Sequence, residues 1–314
     1  MQKLNIYKAT STGSAGEAAA LAISLDGITV IEEPSGDITV DIIFVHGLAG
    51  NPQSSWTHDK TGTFWPKDLL PSLTKTARIM TYGYNSNVIA NTSGLRIREH
   101  ADRFLDDIVD IRRACPDRPI IFVVHSLGGI LVKQTIVVAA AKPRYRTTVF
   151  DRVYGVVFLG TPHRGSKHAS IGSILAATTK LALQKPQTEI VKALESGSKD
   201  LLDLMKDFGD YLDHIRVATF YESRETKIGL LTSLMIVPEK SAVIGARDER
   251  PLGVDCDHRQ ISKFENINDP RFKRVSRRIL EFVEGAGADL QSFDTVQIQT
   301  SGQSIPRLDK YKII

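Results

Sequence analysis

The stretch P-I-I-F-V-V-H-S-L-G-G-I-L-V-K-Q, residues 119–134, decides how the rest of the chain is read. Ile120 to Val124 is an unbroken apolar, β-branched run, the pattern of a strand buried on both faces of a parallel sheet. It stops at His125-Ser126-Leu127-Gly128-Gly129, after which Ile130, Leu131, Val132, Ile136 and Val137 take helical spacing. A strand that turns sharply into a helix through a serine followed by glycines has the form of a nucleophile elbow. The turn lifts the hydroxyl clear of the sheet and aims backbone N–H groups at the space above it, beside a helix N-terminus. Ser126 is therefore the candidate nucleophile. The usual pattern is G-x-S-x-G, and the first position here is Val124, whose side chain is expected to crowd the turn.

A second informative stretch lies upstream. Val40–Val45, V-D-I-I-F-V, reads as another buried strand, and it runs straight into His46-Gly47-Leu48-Ala49-Gly50. A serine of this kind needs two N–H donors where negative charge develops on the attacked carbonyl oxygen. One comes from the residue after the nucleophile and one from the loop after an earlier strand. Those residues here are Leu127 and Leu48.

A serine also needs a base, and the base needs an acid to fix its tautomer. In the elbow-serine arrangement the order along the chain is Ser, then Asp or Glu, then His. Of the eight histidines, His258 alone lies in a loop after the last strands and before the terminal helix, and it is the candidate base. His214 precedes a strand, and His163 follows the elbow by one strand only, where it is expected to shape the rim of the site. For the acid, Glu222 ends the strand I-R-V-A-T-F-Y and fits best; Glu239, after the next apolar run, is the rival. Asp248 has no strand before it, and Asp255 and Asp257 are too near His258 in the chain to reach its ring well.

The remaining order of elements is that of alternating strands and helices. Leu21–Leu25 and Ile28–Ile31 read as a short hairpin. Phe64–Leu73 reads as a short helix, Arg78–Tyr82 as a strand, and Ser93–Arg113 as a long amphipathic helix with a solvated charged face. Val153–Leu159, Ile215–Tyr221 and Leu234–Val237 are further strands, and Pro270–Val283 is the last helix. The spacing predicts an α/β fold with a mostly parallel central sheet and helices on both faces. Residues 1–20 are expected to be a loose leader, residues 21–284 the folded domain, and residues 285–314 a polar tail or linker. Within the domain, residues 166–213 are too long for a plain connection and are expected to form a helical cap with an apolar underside suited to an acyl group, with helices simply packing on the sheet as the alternative.

Composition narrows the setting. A chain of 314 residues with 42% hydrophobic residues can bury a sizeable core. A formal charge of +4, with mixed signs and no basic arm, gives no footing for nucleic acid. Two cysteines make no disulfide framework, so an intracellular, cytoplasmic setting is expected; the Ser/Thr-bearing but Arg-free start makes a mitochondrial presequence the weaker reading. No apolar run approaches the roughly 18 residues of a membrane-spanning helix. The basic run R-F-K-R-V-S-R-R at 271–278 reads as a solvated face, with contact to an anionic lipid surface as the secondary reading.

With these pieces placed, the chain resembles the α/β-hydrolase superfamily, and within it the serine-esterase and lipase-like group that includes the serine-active-site-containing proteins and the hydrolase domains of fungal NLR-type receptors. The resemblance rests on F-V-H-G-L at 44–48, V-H-S-L-G-G at 124–129, F-L-G-T-P-H-R-G-S at 158–166, F-Y-E at 220–222, V-P-E-K-S-A at 237–242 and D-H-R-Q-I-S-K-F at 257–264. It implies Ser126 as nucleophile, His258 as base and Glu222 as acid. It also implies a lipid-like or other hydrophobic carboxylic-ester substrate, with no metal and no organic cofactor. The expected activity is ester hydrolysis through an acyl-enzyme. An acyltransferase with the same triad, or a signalling module of the same shape with weak turnover, are the alternatives.

Overall fold

The computed structural model describes residues 21–86, 94–164, 174, 177, 198–228, 232–247 and 249–301, with side chains described as far as residue 288. The elements in chain order are β1 (Gly27–Glu32), β2 (Val40–Val45), β3 (Ala77–Gly83), α1 (Gly94–Ile111), β4 (Ile120–His125), α2 (Leu127–Ala141), β5 (Val153–Leu159), α3 (Ser198–Gly209), β6 (Arg216–Glu222), β7 (Thr226–Ile228), β8 (Thr232–Leu234), β9 (Leu252–Val254) and α4 (Pro270–Ser301). Seven strands form one sheet in the order β1-β3-β2-β4-β5-β6-β9. Only β1 runs antiparallel; every other pair is parallel. With a serine turn at the carboxyl end of β4, this is the α/β-hydrolase arrangement that the sequence led us to expect.

The apolar runs explain the two-sided core. Side chains alternate across a strand, so a strand covered on both faces must be apolar at every position. Ile43, Val45, Phe122 and Val124 join Ile97, Phe104, Leu105, Ile130, Leu131, Leu204 and Phe208 from α1, α2 and α3 on one face. Ile42, Phe44, Ile121 and Val123 join Phe272, Val275 and Ile279 from α4 on the other, along with Trp56, Trp65 and Phe264. Trp65 makes ring contacts with Phe44, Trp56, Phe264 and Phe272, which ties the loop after β2 and the His258 loop to α4. Val124 is fully buried on the α2 face, so the side chain expected to crowd the elbow is absorbed in the core beside Leu127 and Ile130.

Register aligns the strand ends. Val45 pairs with Val124, His125 with Leu159, Leu159 with Phe220, and Glu222 with Val254. The loops carrying His46, Ser126, His163, Glu222 and His258 therefore leave the sheet along one carboxyl edge, where open α/β sheets place their sites.

Four expectations are corrected. Leu21–Leu25 makes no hairpin with β1; Leu25 is exposed, and β1 pairs with β3 instead. Phe64–Leu73 is broken into one helical turn, Trp65–Asp68, and a 3-10 turn, Leu70–Ser72, with a proline at the start of each. Leu234 ends β8, a short antiparallel partner of β7, while Ile236 and Val237 turn inward as buried loop residues. The last helix continues past Val283 to Ser301. There the Gly-Ala-Gly at 285–287 serves close packing rather than chain breakage: a Cβ at Gly285 would come within 2.0 Å of the Tyr154 hydroxyl, and Ala286 is fully buried.

The basic run of α4 is partly neutralised locally. Arg271 bonds Asp269, and Arg277 and Arg278 face Glu281. Among the described residues no helix is long and apolar enough to cross a membrane. Residues 1–20, and most of the expected cap at 166–213, lie outside the described residues; within the cap span, α3 is described and packs on α2.

Candidate active site

The turn after β4 forces Ser126 into a backbone conformation that L-residues rarely adopt, φ 51° and ψ −120°. Strain of this kind costs on the order of 1–3 kcal/mol and persists where the surroundings fix it. Here they do. The Ser126 N–H donates to the Leu159 carbonyl at 3.0 Å, and the Ser126 carbonyl accepts from the Thr161 hydroxyl at 3.2 Å. The chain crosses β2 so closely that a Cβ at Gly128 would lie 2.4 Å from the Val45 carbonyl oxygen. Leu127, the first residue of α2, presents an N–H of the kind that has no partner within a helix's first turn. The His46-Gly47-Leu48 loop lies against the serine: a Cβ built on Gly47 would stand 2.9 Å from the Ser126 Cβ.

The three side chains singled out in the sequence meet. His258 Nε2 lies 3.1 Å from Ser126 Oγ, and His258 Nδ1 lies 3.2 Å from Glu222 Oε1. All three residues are at most 2% exposed. The carboxylate accepts only, so Nδ1 carries the hydrogen and Nε2 offers its lone pair to the serine hydroxyl. Glu222 Oε1 also accepts the Val237 N–H at 2.5 Å, and the His258 N–H donates to the Thr226 hydroxyl at 3.0 Å. The β7–β8 hairpin and the segment after it thus hold both partners of the acid–imidazole pair.

The rival residues have other partners. Glu239 is exposed and bonds the Tyr221 hydroxyl. Asp255 pairs with Arg224, and Asp257 caps the N–H groups of Arg259 and Gln260. His214 is exposed, and Asp248 lies outside the described residues.

Three histidines surround this core with distinct roles. His46 stacks on Tyr84, and Nδ1 donates to the Gly47 carbonyl. Burial pulls its pKa down to about 4, so the ring is neutral at pH 7. His125, at the end of β4, was not singled out by its sequence position. Its Nε2 lies 3.1 Å from the His258 carbonyl oxygen and must donate to it. Burial, with the electrostatic influence of the neighbouring His258 next, pulls its pKa down to about 3, so His125 is a neutral donor that pins the backbone of the candidate base. His163 does not form a rim. It is 2% exposed, edge-on to Phe158, with Nδ1 2.5 Å from Lys133 Nζ. Among the described residues no group of three or more His, Cys, Asp or Glu side chains is placed to hold a metal ion.

The family model described as "Putative serine esterase (DUF676)" matches residues 41–203, just over half of the chain. The chain belongs to this family. Among curated relatives of this esterase-like chain, Protein SERAC1 of Homo sapiens is 29% identical over 293 residues, covering 85% of this chain and 42% of that protein. Protein SERAC1 of Bos taurus is 30% identical over 297 residues, with the same two coverages. The chain thus spans less than half the length of these relatives. Among solved structures, an inhibited esterase B from Lactobacillus rhamnosis superposes with a TM-score of 0.49 at 11% identity, covering 84% of this chain and 82% of that one. A lipase-esterase related protein from Clostridium acetobutylicum superposes with a TM-score of 0.45 at 15% identity, covering 82% and 100%.

Proposed function

We propose that the protein hydrolyses carboxylic esters of hydrophobic acyl groups through an acyl-enzyme. The observation that carries this reading is the continuous relay from Ser126 Oγ through both nitrogens of His258 to Glu222 Oε1. Ser126 Oγ attacks the ester carbonyl while His258 Nε2 takes its proton. The oxygen that becomes negative is held by the N–H groups of Leu48 and Leu127. The tetrahedral adduct expels the alcohol, which receives the proton from His258. Water, deprotonated by the same imidazole, then releases the acid and restores the serine. Glu222 holds the imidazole in the tautomer that has Nε2 free, and it stabilises the imidazolium formed in each half-reaction. If an alcohol replaces water in the second half, the same groups perform acyl transfer.

The apolar acyl group is the expectation carried by the sequence resemblance, and the acid itself sits in apolar surroundings. Val237, whose N–H bonds Glu222, packs with Ile174, Ile236 and Ala242 in a small apolar cluster against which Tyr221 also packs. A screen of p-nitrophenyl esters of graded acyl length tests the reading. Turnover that is greater for medium and long chains than for acetate is expected. A folded protein that turns over none of them would leave a signalling or interaction module of hydrolase shape.

Two pairs of substitutions separate the supporting residues. Glu222→Gln should lower kcat by about 10³- to 10⁴-fold, because the amide stabilises neither the tautomer nor the charged ring. Glu239→Gln should stay near wild type, and the reverse pattern in steady-state kinetics would move the acid to Glu239. His125→Phe removes the donor to the His258 carbonyl. One hydrogen bond in a buried site is worth about 1–3 kcal/mol, so kcat should fall by roughly tenfold to a hundredfold with KM little changed. His125→Gln, which can restore an N–H donor, should recover part of the loss; equal losses in both variants would make the role one of packing alone.

A further inference from the structure

A pocket lies along α2, away from the serine. Lys133 is seven residues past Ser126, about 10 Å along the helix by its rise per residue. It is fully buried. Its side-chain nitrogen lies 2.5 Å from His163 Nδ1 and 2.9 Å from Met205 Sδ, between the rings of Phe158 and Phe208 at 5.5 and 5.6 Å, and burial pulls its pKa well below the ordinary lysine value. No carboxylate among the described residues bonds it. The one that acts on it through space, Glu249, already accepts from the Thr219 hydroxyl and from the N–H groups of Ile244 and Gly245. With Nδ1 of His163 bonded to Lys133, the other ring nitrogen, Nε2, is buried with no partner.

These two residues form part of the wall of a cavity of about 320 Å³. Its other ionisable lining groups are Arg164 and Lys206; none is acidic. Its apolar wall includes Met205, Phe208, Leu212 and Ile244. A buried cluster with surplus donors and no anionic acceptor is costly unless an acceptor arrives from outside. The volume is at the lower end of the range of small-molecule sites.

We propose that this cavity binds a small organic carboxylate with a short apolar chain, its head on Lys133 and His163 and its chain against Phe208, Leu212 and Ile244. The site is distinct from the proposed ester site and does not depend on it. Binding would draw the head group onto the loop that follows β5, the same loop whose Thr161 hydroxyl bonds the Ser126 carbonyl.

Isothermal titration of the full chain with sodium hexanoate, and with inorganic phosphate in parallel, tests the proposal. Hexanoate should bind wild type and Ser126→Ala alike, and phosphate more weakly by about tenfold or more. Lys133→Met should weaken hexanoate binding at least about tenfold, the worth of one charge-assisted hydrogen bond. Leu212→Trp, which narrows the cavity from its half-buried side and leaves Lys133 in place, should do the same if Lys133→Met fails to fold. Absence of hexanoate binding to wild type, unchanged affinity in the folded variants, or phosphate binding as tight as hexanoate would overturn the proposal. Fluorophosphonate labelling of the same samples reads Ser126 separately, so the two assignments can fail independently.

Discussion

Ser126→Ala is expected to lower ester turnover by roughly 10⁴- to 10⁶-fold, about as much as loss of His258 would. What remains should be the small acceleration left by binding and by the N–H groups of Leu48 and Leu127. The variant should fold, since its backbone contacts to Leu159 and Thr161 do not use the side chain. Stability offers a second readout. Ser126 sits at φ 51°, where alanine is strained and glycine is not. Ser126→Gly should therefore unfold at a higher temperature than Ser126→Ala, by the equivalent of about 1–3 kcal/mol. Thermal unfolding of the two variants side by side checks this. Equal melting temperatures would mean that the elbow stores no strain.

The second large effect concerns stability alone. Asp41 is fully buried at the opposite end of β2 from His46. Its two oxygens accept from Arg78 at 2.8 and 3.0 Å, from Arg112 at 2.7 Å and from Arg118 at 3.0 Å. Arg112 is itself 1% exposed, and its other terminal nitrogen bonds the carbonyls of Pro116 and Arg118. This cluster ties β2 and β3 to the end of α1 and the turn into β4. Asp41→Asn keeps the shape but leaves buried guanidinium charge without a counter-ion. Removing one partner from such an arrangement costs about 3–5 kcal/mol. Asp102→Asn is the control: Asp102 pairs with Lys142 where both side chains are more than a third exposed, and its loss should cost less than about 1 kcal/mol. Denaturant unfolding of both variants measures the contrast. If Asp41→Asn remains folded, its kcat should match wild type, because the cluster lies far from the carboxyl edge of the sheet.

These two cases also show where the sequence was legible. The parallel core strands could be read because burial on both faces demands continuous apolar runs, and V-D-I-I-F-V, I-I-F-V-V and V-Y-G-V-V-F-L meet that demand. The meeting of Ser126 and His258 could be anticipated without coordinates because chain order restricts each to one place relative to the strands, while for the acid it left Glu222 and Glu239. Glu239 could not be dismissed from the sequence, since only the fold shows the Val237 N–H on Glu222 and the Tyr221 hydroxyl on Glu239. Asp41 carried a signal that was passed over: an acid inside a strand buried on both faces requires cationic partners. Lys133 carried a similar one. Twelve of the fifteen residues of α2 are buried, so its lysine has no solvated face to occupy. The misreadings at Leu21–Leu25 and after Val283 have a common cause. Local turn chemistry at Asp26-Gly27 and at Gly285-Ala286-Gly287 suggested punctuation, while tertiary packing against β3 and Tyr154 decided the outcome.

The claim on which the function rests is that the Ser126 hydroxyl is activated by His258. Intact-mass spectrometry after treatment with a fluorophosphonate measures this most directly. The account predicts a single adduct on Ser126 in wild type, none in Ser126→Ala, and strongly slowed formation in folded His258→Ala. A folded wild-type protein that stays unmodified, or one modified equally well after His258→Ala, would contradict it.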